Sequence, residues 1–246
     1  MAYGIFKSRY EWHTIMIILF GGWGFPPEIL EPIFGANARY IDINKLFPYV
    51  VDDDRLRGDW KEIMHKAVLS HLTCDEIALA GWSAGSLIAL ALSPFIKPPR
   101  MILLSPTPSF CRREGFAFGW KPAALQSMRA QLEADRDAAV RQFCDQCDFG
   151  GSDVPRIAAS TDQMIAGTVF LEHASVMPLE KAACPMLVLR GKKDRIVPSG
   201  AGQWLAEKCG ARSAAMEGGH AFFLENGASV KTEIDAFIKP GVAAAS

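Results

Sequence analysis

Short apolar runs without polar alternation recur along this chain, separated by stretches with helical spacing. The runs lie at 15–20 (IMIILF), 76–81 (EIALAG), 101–104 (MILL) and 185–190 (PMLVLR), and a further strand is expected at 38–43. Runs of this kind are typical of strands that are buried on both faces of a parallel sheet. Strands that alternate with helices therefore predict an α/β fold with a mostly parallel central sheet and helices on both faces.

The helical stretches divide into two groups. Apolar spacing predicts an amphipathic helix at 60–72, and residues 87–92 favour a helix that Pro94 should close. Residues 106–178, here named the cap segment, contain no strand-like run but show helical patterning at 122–147 and 154–169. We therefore expect a core formed by 1–105 and 179–246, with the cap segment inserted as helices over the carboxyl edge of the sheet, where such folds bind ligands.

Composition limits the classes of partner. The chain has 246 residues, which one α/β domain accommodates, and its 26 basic and 27 acidic residues give a formal net charge of -1. A balanced charge offers no general attraction to nucleic acid or to an anionic membrane. The longest early apolar run is far below the ~20 residues needed to cross a bilayer, and Glu11 and His13 precede it where a signal peptide would have basic residues. We expect a cytoplasmic protein.

The six cysteines do not predict a metal or redox site. They are scattered through a chain that is large enough to hold a core without disulfides, so reduced thiols are expected. Cys144 and Cys147 form a lone C-x-x-C within a predicted helix, where two small helix-face residues are the simpler interpretation. No metal and no cofactor is expected.

The pentapeptide 81–85 (GWSAG) matches G-x-S-x-G and stands between a predicted strand and a predicted helix. Glycines two residues before and after Ser83 would permit a strained turn that lifts the serine hydroxyl over the sheet edge. The start of the following helix would favour negative charge there. An ordinary strand-to-helix turn is the alternative, but this position in the pattern favours Ser83 as a nucleophile.

A serine nucleophile needs a nearby base, and in folds with this turn an acidic residue and then a histidine follow the serine along the chain. Asp194 directly follows the predicted strand at 185–190, so it should lie at the same sheet edge as Ser83. His220 follows a glycine pair, and it is the only one of the five histidines that comes after Asp194. Each residue alone could be an ordinary loop side chain. Their joint order predicts Ser83, Asp194 and His220 as nucleophile, orienting acid and general base.

Acyl transfer also requires hydrogen-bond donors for the oxyanion. In folds with this serine turn, the amide after the nucleophile supplies one donor, and a loop after an early strand supplies the second. Those donors would be the amides of Ala84 and Trp23, with Gly22 giving the loop its backbone freedom. A glycine turn that only ends the first strand is the alternative.

With these residues in hand, the chain resembles the α/β-hydrolases, and among them the pimeloyl-acyl-carrier-protein methyl ester esterases of biotin synthesis. The motifs shared with many hydrolases are Gly22-Trp23-Gly24, Gly81-Trp82-Ser83, Asp194 in 194–198 (DRIVP), and His220 before an aromatic pair. The narrower match lies in the paired tryptophans and at the start of the cap segment, in Ser105-Pro106, Phe110 and Gly119-Trp120-Lys121-Pro122. One departure is Gly21, where many relatives have histidine.

The resemblance implies an α/β-hydrolase fold and cleavage of a methyl ester from a dicarboxylic acyl chain held on the phosphopantetheine arm of an acyl carrier protein. Because such carriers are acidic, arginines of the cap segment could pair with their carboxylates or with the arm's phosphate. The candidates are Arg129, Arg136 and Arg141. A solvated helix face is the equal alternative, since acidic residues neighbour them.

Aromatic residues near the predicted site could line an acyl pocket. Besides Trp23, the candidates for substrate contact are Trp82, Phe110 and Phe222, although aromatic residues in such a fold are more often part of the core. Two rival functions stay open. One is a general short-chain carboxylesterase or thioesterase with the same three residues, and the other is a catalytically silent homologue that only binds a ligand.

Overall fold

The computed structural model of the protein describes residues 16–36, 38–51, 60–71, 77–149 and 156–238. In this part of the chain, six parallel strands form one sheet in the order β2-β1-β3-β4-β5-β6. The strands are β1 (Met16–Phe20), β2 (Ala38–Ile41), β3 (Ile77–Trp82), β4 (Met101–Leu104), β5 (Met186–Gly191) and β6 (Arg212–Met216). The predicted α/β-hydrolase fold is confirmed, with flanking helices around a parallel sheet.

The strand order places one crevice at the carboxyl edge of the sheet. From β1 the chain moves outward to β2, then returns to the other side of β1 to form β3. The order therefore reverses between β1 and β3, and open α/β sheets bind ligands at such a switch point. The loops after β1 and β3 lie on either side of it, and these loops contain Trp23 and Ser83.

Helices follow the strands and cover the sheet. The α-helices are α1 (Glu31–Phe34), α2 (Phe47–Val50), α3 (Trp60–Val68), α4 (Ala84–Ile96), α5 (Pro122–Ala134), α6 (Arg136–Cys147), α7 (Thr161–His173), α8 (Ser199–Cys209), α9 (Phe222–Glu225) and α10 (Gly227–Ile238). Helix α4 packs on β1 and β3, and α8 packs on β5 and β6. Strands β1, β3 and β4 contain no charged or hydroxyl side chain, because both their faces are covered.

Helix α4 is longer than predicted, and the expectation that Pro94 closes it is wrong. The helix continues through Pro94 and ends at Ile96, where Lys97 adopts the left-handed conformation. Proline cannot donate the hydrogen bond to the carbonyl four residues earlier. Here the Ser93 hydroxyl donates to that carbonyl, Leu90 O, at 2.9 Å, so the proline leaves no unsatisfied acceptor.

In the described part of the chain, three helices lie between β4 and β5. The predicted stretch 122–147 is two helices, because Asp135 ends α5 and its carboxylate then accepts the Ala138 N–H to begin α6. The helix predicted at 154–169 begins later, at Thr161, after a capping box formed by Ser160 and Gln163; residues 154–155 lie outside the described part. The division into core and cap segment as domains stays a prediction.

The sequence patterns did not indicate β6 or the helices after it. Strand β6 (RSAAM) has no β-branched residue and is partly exposed at the sheet edge, so its apolar signal is weak. The predicted helix at 60–72 ends at Val68 and continues as a short 3₁₀ turn to His71. Among the described residues, no helix is long and apolar enough to cross a membrane.

Candidate active site

The strained turn predicted at Ser83 is present. Ser83 lies between β3 and α4 with φ 57° and ψ -120°, in a region that L-residues rarely occupy. Its N–H donates to Leu104 O at 2.9 Å. A Cβ on Gly81 would lie 2.4 Å from Gly85 O, and one on Gly85 would lie 2.2 Å from Phe20 O, so both positions require glycine. The turn therefore brings helix and strands into close contact and raises the hydroxyl over the sheet edge.

The structure brings the three predicted residues together. His220 Nε2 lies 2.8 Å from Ser83 Oγ, and His220 Nδ1 lies 2.8 Å from Asp194 Oδ2. The side chains of His220 and Asp194 are almost fully buried. This geometry suits the imidazole tautomer in which Nδ1–H donates to the carboxylate and Nε2 accepts the serine hydroxyl.

Asp194 is held by the loop that follows β5. Its Oδ1 accepts the N–H groups of Ile196 at 2.9 Å and Val197 at 2.8 Å. These two bonds leave Oδ2 free for the imidazole. Hydrogen bonds to both oxygens of a buried carboxylate fix its plane, and they therefore fix the direction from which the histidine is held.

The main chain of His220 is held by three different elements. Its N–H donates to Cys147 O at the end of α6, at 2.9 Å. Its carbonyl accepts the indole N–H of Trp82 at 3.1 Å and the hydroxyl of Ser105 at 3.3 Å. The histidine loop is thus positioned by the serine turn, by the residue after β4 and by the cap segment.

A buried thiol adjoins this site. Cys147 is fully buried at the end of α6, and burial raises the pKa of its thiol well above the usual value. A raised pKa favours the protonated thiol, which is a poor nucleophile. Cys144 and Cys147 both lie on one helix, α6, as predicted, and both are buried in the core. Among the described residues, no group of three or more metal-ligating side chains is present.

The two predicted oxyanion amides lie on either side of the crevice. In the described part of the chain, the N–H groups of Trp23 and Ala84 have no hydrogen-bond acceptor. Ala84 begins α4, so its amide also lies at the positive end of the helix dipole. Both amides are available to a ligand oxygen.

The loop around Trp23 depends on residues that sequence reasoning missed. The Trp23 indole donates to Met164 O on α7 at 3.0 Å, and a Cβ on Gly167 would lie 2.3 Å from the indole ring. The Gly24 N–H donates to the side chain of Asn44 at 2.7 Å. No local motif marks Asn44 or Gly167, since both contacts join segments that are distant in the chain.

A cavity of about 270 Å³ opens beside Ser83, between the sheet edge and α5, α6 and α7. Its apolar wall includes Trp23, Phe110, Leu125, Phe143, Leu171 and Ile196. Its polar side chains, apart from Ser83, are those of Ser127, Gln131, Gln142 and Gln146. Among the described lining residues none is charged. The cavity therefore suits an uncharged chain with a few hydrogen-bonding groups.

Two of the predicted substrate contacts are wrong. Trp82 and Phe222 are 1% and 0% exposed and do not line the cavity. Trp82 packs against Phe25 and Phe223, and its indole positions His220. Trp82 precedes the serine turn and Phe222 follows the histidine loop, and both side chains point into the core, away from the cavity. Phe110 and Trp23 do line the cavity as predicted, and Gly22 packs directly on the Trp82 ring.

The three predicted carrier-contact arginines differ in their surroundings. Arg129 forms an ion pair with the buried Glu172 at 3.0 Å, so its charge is already compensated. Its contact with a carrier stays a prediction. Arg136 donates to Ala159 O at 3.0 Å and is half-buried. Arg141 is exposed and has no partner among the described residues.

Comparison with known proteins places the chain in a family. Residues 22–231 match the model of the alpha/beta hydrolase family. A pimeloyl-[acyl-carrier protein] methyl ester esterase from Nitrosomonas europaea is 26% identical over 145 residues, which cover 53% of this chain and 58% of the relative. An enzyme of the same name from Aromatoleum aromaticum is 25% identical over 236 residues, which cover 85% of this chain and 92% of the relative.

Solved structures share the fold at low sequence identity. An esterase from Exiguobacterium antarcticum matches with a TM-score of 0.73 and 20% identity, covering 91% of this chain and 92% of that one. An enol-lactonase from Burkholderia xenovorans matches with a TM-score of 0.69 and 14% identity over 93% of each chain.

The protein is a member of the alpha/beta hydrolase family, since the family match spans most of the chain. Within that family its curated relatives include several pimeloyl-[acyl-carrier protein] methyl ester esterases, which confirms the resemblance found in the sequence. The matched region covers little more than half the length of the first two of these relatives.

Proposed function

We propose that this protein is a serine hydrolase of carboxylic esters, with Ser83 as nucleophile, His220 as general base and Asp194 as the residue that orients and stabilises the imidazole. The observation that carries the proposal is the continuous chain of 2.8 Å contacts from Ser83 Oγ through His220 to Asp194 at the strained turn. A serine hydroxyl is a weak nucleophile unless a base lies within this distance.

In the proposed reaction, Ser83 Oγ attacks the ester carbonyl carbon while its proton passes to His220 Nε2. The carbonyl oxygen becomes an oxyanion that accepts hydrogen bonds from the amides of Trp23 and Ala84. His220 then gives the proton to the departing alkoxide, which leaves as an alcohol. A water molecule deprotonated by His220 attacks the acyl-enzyme, and the acid product leaves with the serine hydroxyl restored.

For the substrate we propose a methyl ester of a pimeloyl-type chain carried on an acyl carrier protein. The distant relatives with that name support it. The cavity supports it as well, because about 270 Å³ holds roughly nine groups of water size, enough for a medium-length acyl chain with its ester. An uncharged lining favours an ester over a free carboxylate. A carboxylate in the cavity would lose its hydration water and find no positively charged side chain to pair with. A cytoplasmic location is part of this proposal.

For the carrier we propose contact through the outer face of α6. Arg136, Arg141 and Arg156 line a surface cleft of about 500 Å³ there, together with Asp137 and Asp145. Arg141 is the best candidate of the original three, since its charge has no partner among the described residues. The acidic neighbours reduce the net charge of the cleft to +1, so the attraction to a carrier should be modest.

A general short-chain carboxylesterase or thioesterase is the second candidate. The ion pair of Arg129 with Glu172 favours it, because this pair leaves the cap segment with less free positive charge than the sequence suggests.

The deciding experiment has two parts. Stoichiometric labelling by a fluorophosphonate, lost in Ser83→Ala, would establish the nucleophile, and an unlabelled wild type would favour a silent binding homologue.

A substrate panel would then compare carrier-bound pimeloyl methyl ester, its free methyl ester, small neutral esters and a thioester. We expect kcat/KM for the carrier-bound ester to be the highest and to fall with salt, because screening shortens the Debye length from ~10 Å at 0.1 M to ~3 Å at 1 M. Equal rates and equal salt dependence across the panel would leave a general esterase.

A further inference from the structure

Asn44 is a buried polar side chain that contacts the loop around Trp23 from the turn after the neighbouring strand, β2. It lies in the 3₁₀ turn Ile43–Lys45 after β2 and is 2% exposed. Its Oδ1 accepts the Gly24 N–H at 2.7 Å. Its Nδ2 lies 3.2 Å from Phe25 O and 3.4 Å from Gly22 O and donates toward both. One side chain thus binds the main chain on both sides of Trp23.

The orientation of this amide is determined by its surroundings. The Gly24 N–H can only donate, and the two loop carbonyls can only accept, so a single assignment of oxygen and nitrogen satisfies all three groups. Asp42 Oδ1 adds a further acceptor, at 3.0 Å from Asn44 Nδ2 and 3.1 Å from the Asn44 N–H. The Asn44 side chain is therefore also held by a residue of its own turn.

No other side chain of the described residues bonds to the main chain of residues 22–25. Gly21 contributes no side chain, and a Cβ there would lie 2.9 Å from Pro27 Cβ. The indole of Trp23 is anchored separately, through its bond to Met164 O. The direction of the Trp23 peptide N–H thus depends on Asn44, whereas the direction of its ring depends on α7.

We propose that Asn44 is a positioning residue that holds the Trp23 amide toward the oxyanion formed at Ser83. This role rests on the proposed ester hydrolysis. A donor that is already in place stabilises developing charge without reorganisation, and that stabilisation acts on the transition state more than on the bound ester. Without the Asn44 bonds, the cavity wall would still bind the substrate. The Trp23 N–H, however, would point less accurately at the oxyanion.

The test compares Asn44→Ala and Asn44→Leu with wild type in the hydrolysis of p-nitrophenyl acetate. Leucine preserves most of the side-chain volume but none of the hydrogen bonds, so the pair separates packing from bonding. We expect kcat to fall about 10- to 100-fold in both variants, which is less than the ~10²–10³-fold cost of deleting an oxyanion donor, with KM within about threefold of wild type.

Two further variants control for stability. Val230→Ala removes buried volume from α10 without touching a hydrogen bond of the Trp23 loop, and it should lower the melting temperature while leaving kcat within about twofold. Asp42→Asn weakens the acceptor of the Asn44 side chain and main-chain N–H, and it removes the ion pair with Lys45, but it keeps Asn44 itself. It therefore covers the case in which the Asn44 variants do not fold. It should lower kcat several-fold, again with little change in KM.

The outcomes separate the two proposals. An unchanged kcat in a folded Asn44 variant, a rise in KM alone, or a loss of kcat that Val230→Ala matches at equal stability would each overturn the positioning role while ester hydrolysis stands. If the Asn44 variants do not fold, an unchanged kcat in Asp42→Asn would overturn it. A wild type without turnover and without Ser83 labelling would overturn both the hydrolysis and the role that rests on it.

Discussion

The ionisable side chains of the loops at the strand ends differ from those of the cap segment in burial and in the number of their partners. At the strand ends, Asp194 and His220 are buried, and their polar atoms are bound within a few ångströms by the serine turn and by the main chain. In the cap segment, Arg129 is neutralised by Glu172, whereas Arg141 is exposed and has no partner among the described residues. Chemistry that needs fixed geometry thus lies at the sheet edge, where several elements converge.

The two regions are nevertheless joined by main-chain contacts. The last turn of α6 offers carbonyls that have no partner within the helix. Cys147 O accepts the N–H of His220, and Asp145 O accepts the Arg195 side chain at 2.6 Å, next to Asp194. Trp120, near the start of the cap segment, donates its indole N–H to Ile196 O at 2.7 Å. The cap segment therefore supports the loops of Asp194 and His220 as well as covering the cavity.

The largest effect in this comparison is expected at the strand ends. Ser83→Ala should lower ester hydrolysis by at least about 10⁴-fold, because the serine, histidine and acid act as one unit. For the same reason Ser83→Ala combined with His220→Ala should be little worse than either change alone. Steady-state kinetics with circular dichroism as the folding control would check this, and retained turnover in folded Ser83→Ala would contradict the assignment.

Asp194→Asn should cost about 10⁴-fold in kcat, the scale seen when an amide replaces the acid of a serine protease. The asparagine can still accept the Ile196 and Val197 N–H groups, so the loop should keep its shape while the imidazole loses its preferred tautomer. The measurement is kcat for a small ester. A loss below tenfold would show that another carboxylate orients His220.

A smaller effect is expected where the cap segment supports the loop of Asp194. Trp120→Phe removes the indole donor and leaves Ile196 O without its partner, which at roughly 0.5–1.5 kcal/mol corresponds to about a 2- to 13-fold lower kcat. Trp204→Phe is the matched control, because Trp204 packs on Phe116 and does not line the cavity beside Ser83. If Trp120→Phe changed only KM, the indole would serve the cavity wall and not the loop.

The smallest effect on catalysis is expected in the cap segment. Here replacing arginine by glutamine should have different effects at position 129 and at position 141. Arg129→Gln leaves the buried Glu172 without its cation and should destabilise the protein by about 1–3 kcal/mol. At about 2–4 °C per kcal/mol, that loss is measurable by calorimetry. Arg141→Gln should leave the melting temperature unchanged and raise only KM for a carrier-bound ester. Equal behaviour of the two variants would remove the distinction between a paired and a free arginine.

The Arg129 contribution should also depend on pH. Burial raises the pKa of Glu172, but hydrogen bonds from Gln126 and Arg129 outweigh it and lower that pKa below its usual value of 4.5. A lowered folded-state pKa means stabilisation that is present above the unfolded pKa and is lost as the pH falls through the folded pKa. The difference in melting temperature between wild type and Arg129→Gln should therefore shrink below pH 4.5. A difference that is independent of pH would contradict this account.

The order of Ser83, Asp194 and His220 along the chain was sufficient to predict that they meet. Each follows a strand or lies on a loop at the carboxyl edge, and a parallel sheet brings those ends together whatever the intervening residues are. Asn44 was not predictable in the same way, because its bonds to Gly24 and Phe25 join loops about 20 residues apart without any local motif. The substrate roles predicted for Trp82 and Phe222 were wrong, since an aromatic residue next to a catalytic one can face either the cavity or the core.

The sequence by itself determined the fold class, the serine turn and the family, because short apolar runs and glycine spacing are local properties and the order of motifs can be read directly along the chain. Only the tertiary structure decided which side chains the site uses around those residues. Glu172 and Arg129 are 43 residues apart and Trp82 and His220 are 138 apart, yet each pair is in direct contact. Such contacts depend on how helices pack on the sheet and on which polar groups lose water there, and composition and periodicity contain little information about either.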